Sequence, residues 1–272
     1  MPALAPHPRQ SFRFALPPSL GPEVARERAP RLAHYLSRLL TKSVDVVVAP
    51  SYEALAKELL AGKVDAAWAP PFVCARVEAM GVRVLVRGVR QGVSSYRAAL
   101  LCLAGRGLTL GALSGLTAMW VDRDSVAGYL LPMAFLKSQG LDSAKTFFAQ
   151  SFAGSYKAAL EGVIEGKADV CSVFAPATLP GEGVQTGVEE ICTGWGGKFR
   201  VIAFTEEAPN DGVAVAMATD AVVVHALEEA LLSFQESDEG KALLRQLFNA
   251  DRFELAPRMG YRALYRVALA TL

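Results

Sequence analysis

Along the chain, short runs of consecutive or alternating apolar residues take turns with longer stretches whose apolar positions recur at helical spacing. RFAL (13–16) and VDVVVA (44–49) read as strands. Between them, VARERAPRLAHYLSRLL (24–40) places Leu32, Tyr35, Leu36, Leu39 and Leu40 on one helix face. A second helix, YEALAKELLAG (52–62), closes on a glycine and leads into a strand, VDAAWA (64–69). Strand–helix alternation of this kind predicts an α/β fold, because helices cover the faces of a sheet whose strands run largely parallel.

The same pattern returns further on. YEALAKELLAGKVDAAWAP (52–70) is echoed by YKAALEGVIEGKADVCSVFAP (156–176), with an offset of 104 residues from Tyr52 to Tyr156 and from Gly62 to Gly166. In both, a tyrosine opens a helix, Gly-Lys-x-Asp follows, and a strand ends in Ala-Pro. Helix–glycine–strand joints resemble one another for simple reasons, since glycine ends helices and aspartate suits turns. Two copies are also too few for a solenoid. The echo nevertheless favours two related lobes. SSYRAALLCLA (94–104) and FRVIAFTEEAPNDGVAVAMA (199–218) are the expected crossings, so one lobe should hold residues 11–96 and 212–272 and the other 97–211, with residues 1–10 a flexible tail. Ligands of open α/β sheets sit at the carboxyl ends of strands, so both Ala-Pro turns are expected to face a cleft between the lobes.

One stretch offers chemistry for that cleft. In VDRDSVAGYLLPMAFLKSQG (121–140), a strand (LTAMWV, 116–121) gives way to small and polar residues and then to a helix. Ser125 is a suitable N-cap, and the amides of Val126, Ala127 and Gly128 would be open at the positive end of the helix dipole, the ingredients of an anion site. Gly128 would permit close approach of a ligand, and Pro132 should kink the helix. Ordinary capping accounts for the same residues without any ligand.

Composition narrows the field. A net charge of +1 over 272 residues lacks the concentrated basic face that nucleic acid requires. No apolar run approaches the length of a membrane span. Residues 1–10 hold three prolines and no apolar core of a signal peptide, so the chain as read is expected in the cytoplasm, or in the periplasm if a leader preceded it. Cys74, Cys102, Cys171 and Cys192 form no metal-type spacing. Cys102 and Cys171 are expected as buried, reduced thiols within apolar strands. His7, His34 and His225 stand apart from any Ser/Cys–acid constellation, and GRGLTLG (105–111) departs from the dinucleotide spacing, so no catalytic residue, metal or cofactor is assigned. Trp68 and Trp120, at strand ends, could wall a cleft or close a core.

Seven segments in order, APSYEAL (49–55), GKVDAAWAPP (62–71), SYRAAL (95–100), DSVAGYLLP (124–132), GSYKAAL (154–160), GKADV (166–170) and APNDGVAV (208–215), carry a resemblance. From Phe12 to about Tyr261 the chain is similar to the phosphonate/phosphite-binding solute receptors of ABC transporters, which have the two-lobe type II periplasmic-binding-protein fold. The resemblance implies a small anionic ligand held between lobes by Tyr52, Tyr96, Ser125, the amides of Val126, Ala127 and Gly128, Tyr156 and Asp211, with a transporter permease as partner. Tyrosine hydroxyls and Ser125 would donate to anionic oxygens, and Asp211 would accept from an amine or hydroxyl. Each residue also has a plain structural use: Tyr52 and Tyr156 in helix cores, Tyr96 in hinge packing, Asp211 in the turn PND. Where the family carries hydroxyls at the helix start, this chain has Val126 and Ala127. Tyr156 stands where a histidine is usual, and the family's acidic residue is replaced near Ala175–Pro176. The expected cleft is therefore more aromatic and less anion-selective than the family's. The alternatives are an enzyme on the same fold, of menaquinone-pathway or thiamine-pyrimidine type, or a cytosolic ligand sensor.

Overall fold

The structure, a computed structural model, describes residues 11–18, 22–177, 186–262 and 264. The expected tail over residues 1–10 lies outside them. The described chain divides into two compact units, one gathering residues from 11–69, 76–90 and 211–259 and the other from 70–75, 91–210 and 260–264. The units therefore part between Arg90 and Gln91 and between Asn210 and Asp211, where the sequence reading drew its boundaries at 96/97 and 211/212. Tyr261, expected with the first lobe, belongs to the second unit, where its hydroxyl donates to the Asn210 carbonyl at 2.6 Å.

The first unit begins with β1 (Phe12–Leu16), α1 (Pro22–Leu40), β2 (Val44–Val48), α2 (Tyr52–Leu60) and β3 (Ala66–Ala69). Helix α3 (Pro71–Ala79) spans a change of unit and leads to β4 (Arg83–Val89). The second unit runs through β5 (Ser95–Leu103), β6 (Thr117–Trp120), α4 (Leu131–Ser138), α5 (Ser143–Thr146), β7 (Ala149–Phe152), α6 (Tyr156–Ile164), β8 (Val170–Pro176), α7 (Val188–Ile191), β9 (Phe199–Phe204) and β10 (Ala208–Pro209). The chain then completes the first unit with β11 (Gly212–Val215), α8 (Ala221–Leu232), α9 (Asp238–Leu243) and β12 (Arg252–Leu255). The run 199–218, read as one crossing, is thus three strands divided between two sheets.

Both sheets are mixed. The first has the order β12-β4-β11-β3-β1-β2, with β1 parallel to β2 and β3 and with β11 and β12 antiparallel to their neighbours. The second has the order β10-β5-β8-β6-β7, with β6 parallel to β7 and β8, and with β9 paired to β5 off that path. Trp68 and Trp120 both close cores, being 4% and 0% exposed. Trp68 packs edge-on against Phe248, and Trp120 against Phe147. Cys102 and Cys171 are buried and unbridged on adjacent strands, and burial pushes the Cys171 thiol far above its ordinary pKa.

The echo read from sequence is an equivalence of backbone joints. Ser51 caps α2 by accepting from the Ala54 amide at 3.0 Å, and Ser155 caps α6 by accepting from Ala158 at 3.2 Å. Their backbones are nearly superposable, at φ −155°, ψ 164° and φ −152°, ψ 158°. Gly62 and Gly166 follow the two helices at φ 62° and 73°, a conformation that costs a side chain and explains the repeated glycine. The aspartate of Gly-Lys-x-Asp then ties the next strand to its parallel neighbour in the sheet. Asp65 accepts from the Arg13 amide and Asp169 from the Thr117 amide, each at 2.7 Å. In return, the Asp65 and Asp169 amides donate to the Arg13 and Thr117 carbonyls, each at 2.9 Å.

Candidate ligand-binding site

The strands β6, β7 and β8 are parallel in register, so the segments that follow them emerge at one edge of the second sheet. β6 is followed by Ser125, β7 by Tyr156, and β8 ends at Pro176. β5 is antiparallel to β8, with Tyr96 opposite Pro176 and Arg97 opposite Ala175, so the start of β5 lies at this same edge. Four positions of chemical interest therefore meet there.

The helix start after β6 is not an α-turn. Val126–Leu130 form a π-turn, with the Leu130 amide donating to the Ser125 carbonyl at 3.0 Å and the Leu131 amide donating to the Val126 carbonyl. Pro132 explains the departure, because it has no amide for the carbonyl of Gly128. That carbonyl accepts instead from the Val121 amide at 3.3 Å, and the Ala127 carbonyl accepts from the buried Ser172 hydroxyl at 2.7 Å. The expected kink is thus an expanded first turn, a geometry that recurs at functional sites.

Ser125 caps this turn by accepting from the Gly128 amide at 3.2 Å, and its hydroxyl lies 3.4 Å from that of Tyr156. The Gly128 amide is thereby engaged. Among the described residues, the Val126 and Ala127 amides have no acceptor. The reason for glycine at 128 differs from the one expected. A Cβ there would meet Val121 Cγ2 at 2.5 Å, so the bare Cα packs against the strand and opens no space for a ligand. Tyr156 packs its ring edge-on against Phe174 with centroids 5.6 Å apart, serving core and edge together.

Tyr52 and Asp211 belong to the first unit, Tyr52 at the start of α2 and Asp211 just before β11. Both follow the pattern of the second unit, since they lie at the carboxyl ends of β2 and β3. Asp211 is ion-paired with Arg90, whose Nε also donates to the Asn249 carbonyl at 2.6 Å. Its carboxylate is committed to that neighbour, which the motif PND gave no means of foreseeing.

Arg97 went unnoticed in the sequence, although a single arginine in the apolar run SYRAALLCLA was the available signal. Its guanidinium lies over the Phe204 ring, 3.6 Å from the centroid. Its Nε is buried with no hydrogen-bond partner among the described residues. Burial lowers its pKa from the ordinary arginine value, and Glu207 partly offsets this from a distance. The Glu207 carboxylate itself accepts from Ser95 Oγ at 2.7 Å.

The sequence profile of the family described as ABC transporter, phosphonate, periplasmic substrate-binding protein matches residues 14–261. The chain belongs to that family. Among solved structures similar to this phosphonate-receptor homologue is a Xanthomonas citri protein bound to ATP, at TM-score 0.80 and 19% identity, covering 97% of this chain and 98% of that one. PhnD1 from Prochlorococcus marinus, in complex with methylphosphonate, aligns at TM-score 0.79 and 17% identity over 97% and 99%. A binding-protein component of a phosphonate ABC transporter from Pseudomonas aeruginosa aligns at 0.76 and 16% over 97% and 87%. At these identities the structural likeness establishes the fold, the type II periplasmic-binding-protein arrangement of two mixed α/β sheets. Phosphonate-family receptors are periplasmic, ligand-capturing components of transport systems. No helix among the described residues is long and apolar enough to cross a membrane.

Proposed function

We propose that this chain captures a small tetrahedral oxyanion of the phosphonate class in the periplasm and delivers it to an ABC transporter permease, without chemical conversion. The observation that carries the reading is the expanded helix start at 126–130. It leaves the Val126 and Ala127 amides without acceptors, beside two hydroxyls 3.4 Å apart on Ser125 and Tyr156. Backbone donors at a helix end bind anions through dipole and hydrogen bonds together. They compensate in part for the absence of hydroxyls at positions 126 and 127. Tyr96, at the same edge, supplies a further ring and hydroxyl. Tyr52 and Asp211 remain what the resemblance implies, and Asp211 is paired with Arg90.

Calorimetric titration with methylphosphonate, phosphite, inorganic phosphate and sulfate tests this. Binding of at least one phosphorus oxyanion is expected, weakened about tenfold in Tyr156→Phe, which removes one hydroxyl donor to a charged ligand. Absence of binding to all four by the wild type would refute the reading. Recovery of the titrated ligand unchanged after prolonged incubation checks the non-catalytic part.

A further inference from the structure

We propose that Arg97 is the charge-bearing, specificity-determining residue of this site: its guanidinium recognises the oxyanion and replaces the charge-assisted contacts that Val126, Ala127 and Tyr156 do not make. The inference rests on the phosphonate-class reading above and names the residue on which the affinity depends.

The first ground is placement. Arg97 lies opposite Ala175 at the carboxyl end of β8, and the adjoining pair is Ala98 opposite Phe174, the residue whose ring touches Tyr156. Phe204, beneath the guanidinium, and Tyr156, beside Ser125, pack against the same core cluster, so both lie on one face of the second sheet. In the strand order β5-β8-β6, one strand lies between Arg97 and the strand that leads to the Ser125 turn.

The second ground is an unfilled demand. A guanidinium brings five donors in a rigid fork, and its Nε–H is buried here with no partner among the described residues, which is costly. Stacking on Phe204 fixes the plane of the fork but satisfies no N–H. No carboxylate of the described residues lies within ion-pairing distance, and Glu207 is held by Ser95. By contrast, Arg90, Arg87 and Arg106 each pair with a carboxylate. Arg97 is thus preorganised for an anion that arrives from solution, and the fork matches two oxygens of a phosphonate or phosphate group.

Titrations of methylphosphonate and inorganic phosphate into wild type, Arg97→Met and Arg97→Lys decide the matter. Arg97→Met should bind at least tenfold more weakly while its ligand-free thermal midpoint stays equal or rises, since a buried N–H without a partner is removed. Arg97→Lys should recover part of the affinity. In the wild type, the Arg97 Nε–H resonance should move on adding methylphosphonate, a readout independent of whether any variant folds. Wild-type affinity in Arg97→Met, or an unmoved Nε–H resonance at saturation, overturns the role of Arg97 and leaves the oxyanion reading standing. Failure of the wild type to bind either anion overturns both.

Discussion

The two strand–helix–strand copies share their joints and differ in what they carry. In the first, β3 presents Trp68, which packs on Phe248 and Phe253 and is nearly sealed from solvent. At the equivalent place, 104 residues on, β8 presents Ser172, fully buried and donating to the Ala127 carbonyl of the π-turn. Register confirms the equivalence: Ala66 sits opposite Phe14 in one sheet and Val170 opposite Ala118 in the other, each with the same offset. One strand position therefore completes a core in the first unit and stabilises a loosened helix start in the second. The backbone frame is common, and side-chain volume and polarity at a single site decide which use it serves.

Exchanging these uses should have the largest effect. Trp68→Ala is expected to cost about 3–5 kcal/mol in urea unfolding, by loss of a large buried aromatic. Ser172→Ala should cost about 1–3 kcal/mol, since it leaves a buried carbonyl unsatisfied, and should also weaken oxyanion binding. Equal losses at the two sites would show that Ser172 acts as packing alone.

The aspartates sharpen the contrast at intermediate size. Asp169 accepts from both the amide and the hydroxyl of Thr117, at 2.7 and 2.8 Å, and pairs with Arg106, whereas Asp65 holds the Arg13 amide. Asp169→Ala should therefore cost about 2–3 kcal/mol and Asp65→Ala about 1–2. Partial burial would by itself raise the Asp169 pKa, but the Thr117 bonds and Arg106 outweigh it and leave the carboxyl below its ordinary value. A depressed pKa stabilises the fold above the unfolded-state value and ceases to do so as pH falls through the folded one. Wild type should lose this increment in that acid window, and Asp169→Asn should lack that part of the pH dependence.

The caps should differ least. Ser51→Ala and Ser155→Ala make the same cut in nearly identical geometry, so each should cost about 1 kcal/mol. A clear inequality in chemical denaturation would mean that the copies are less alike than their backbones.

Much of this was legible beforehand. Helical spacing located α1 and α2, and Gly-Lys-x-Asp marked both joints because left-handed glycines and strand-tying aspartates are local requirements. β3 nevertheless begins at Ala66 rather than at residue 64, because Asp65 is turned to the Arg13 amide. Ser125 was recognisable as a cap from its own neighbours. Gly128 was misread in its purpose, since the contact that requires glycine comes from Val121 on the preceding strand. Arg97 escaped notice because one charge in an apolar run has no periodicity to betray it.

The sequence by itself determined the α/β alternation, the repeated helix joints and the family, all of which depend on short-range order and spacing. Only the tertiary structure decided that Trp68 and Trp120 fill cores, that Asp211 is bound to Arg90, and that Arg97 stacks on Phe204 with its Nε unpartnered. Those facts depend on which distant residue arrives beside each side chain. Pairing and burial are properties of neighbours in space, and hydrophobic patterning along the chain records a face to be covered without naming what covers it.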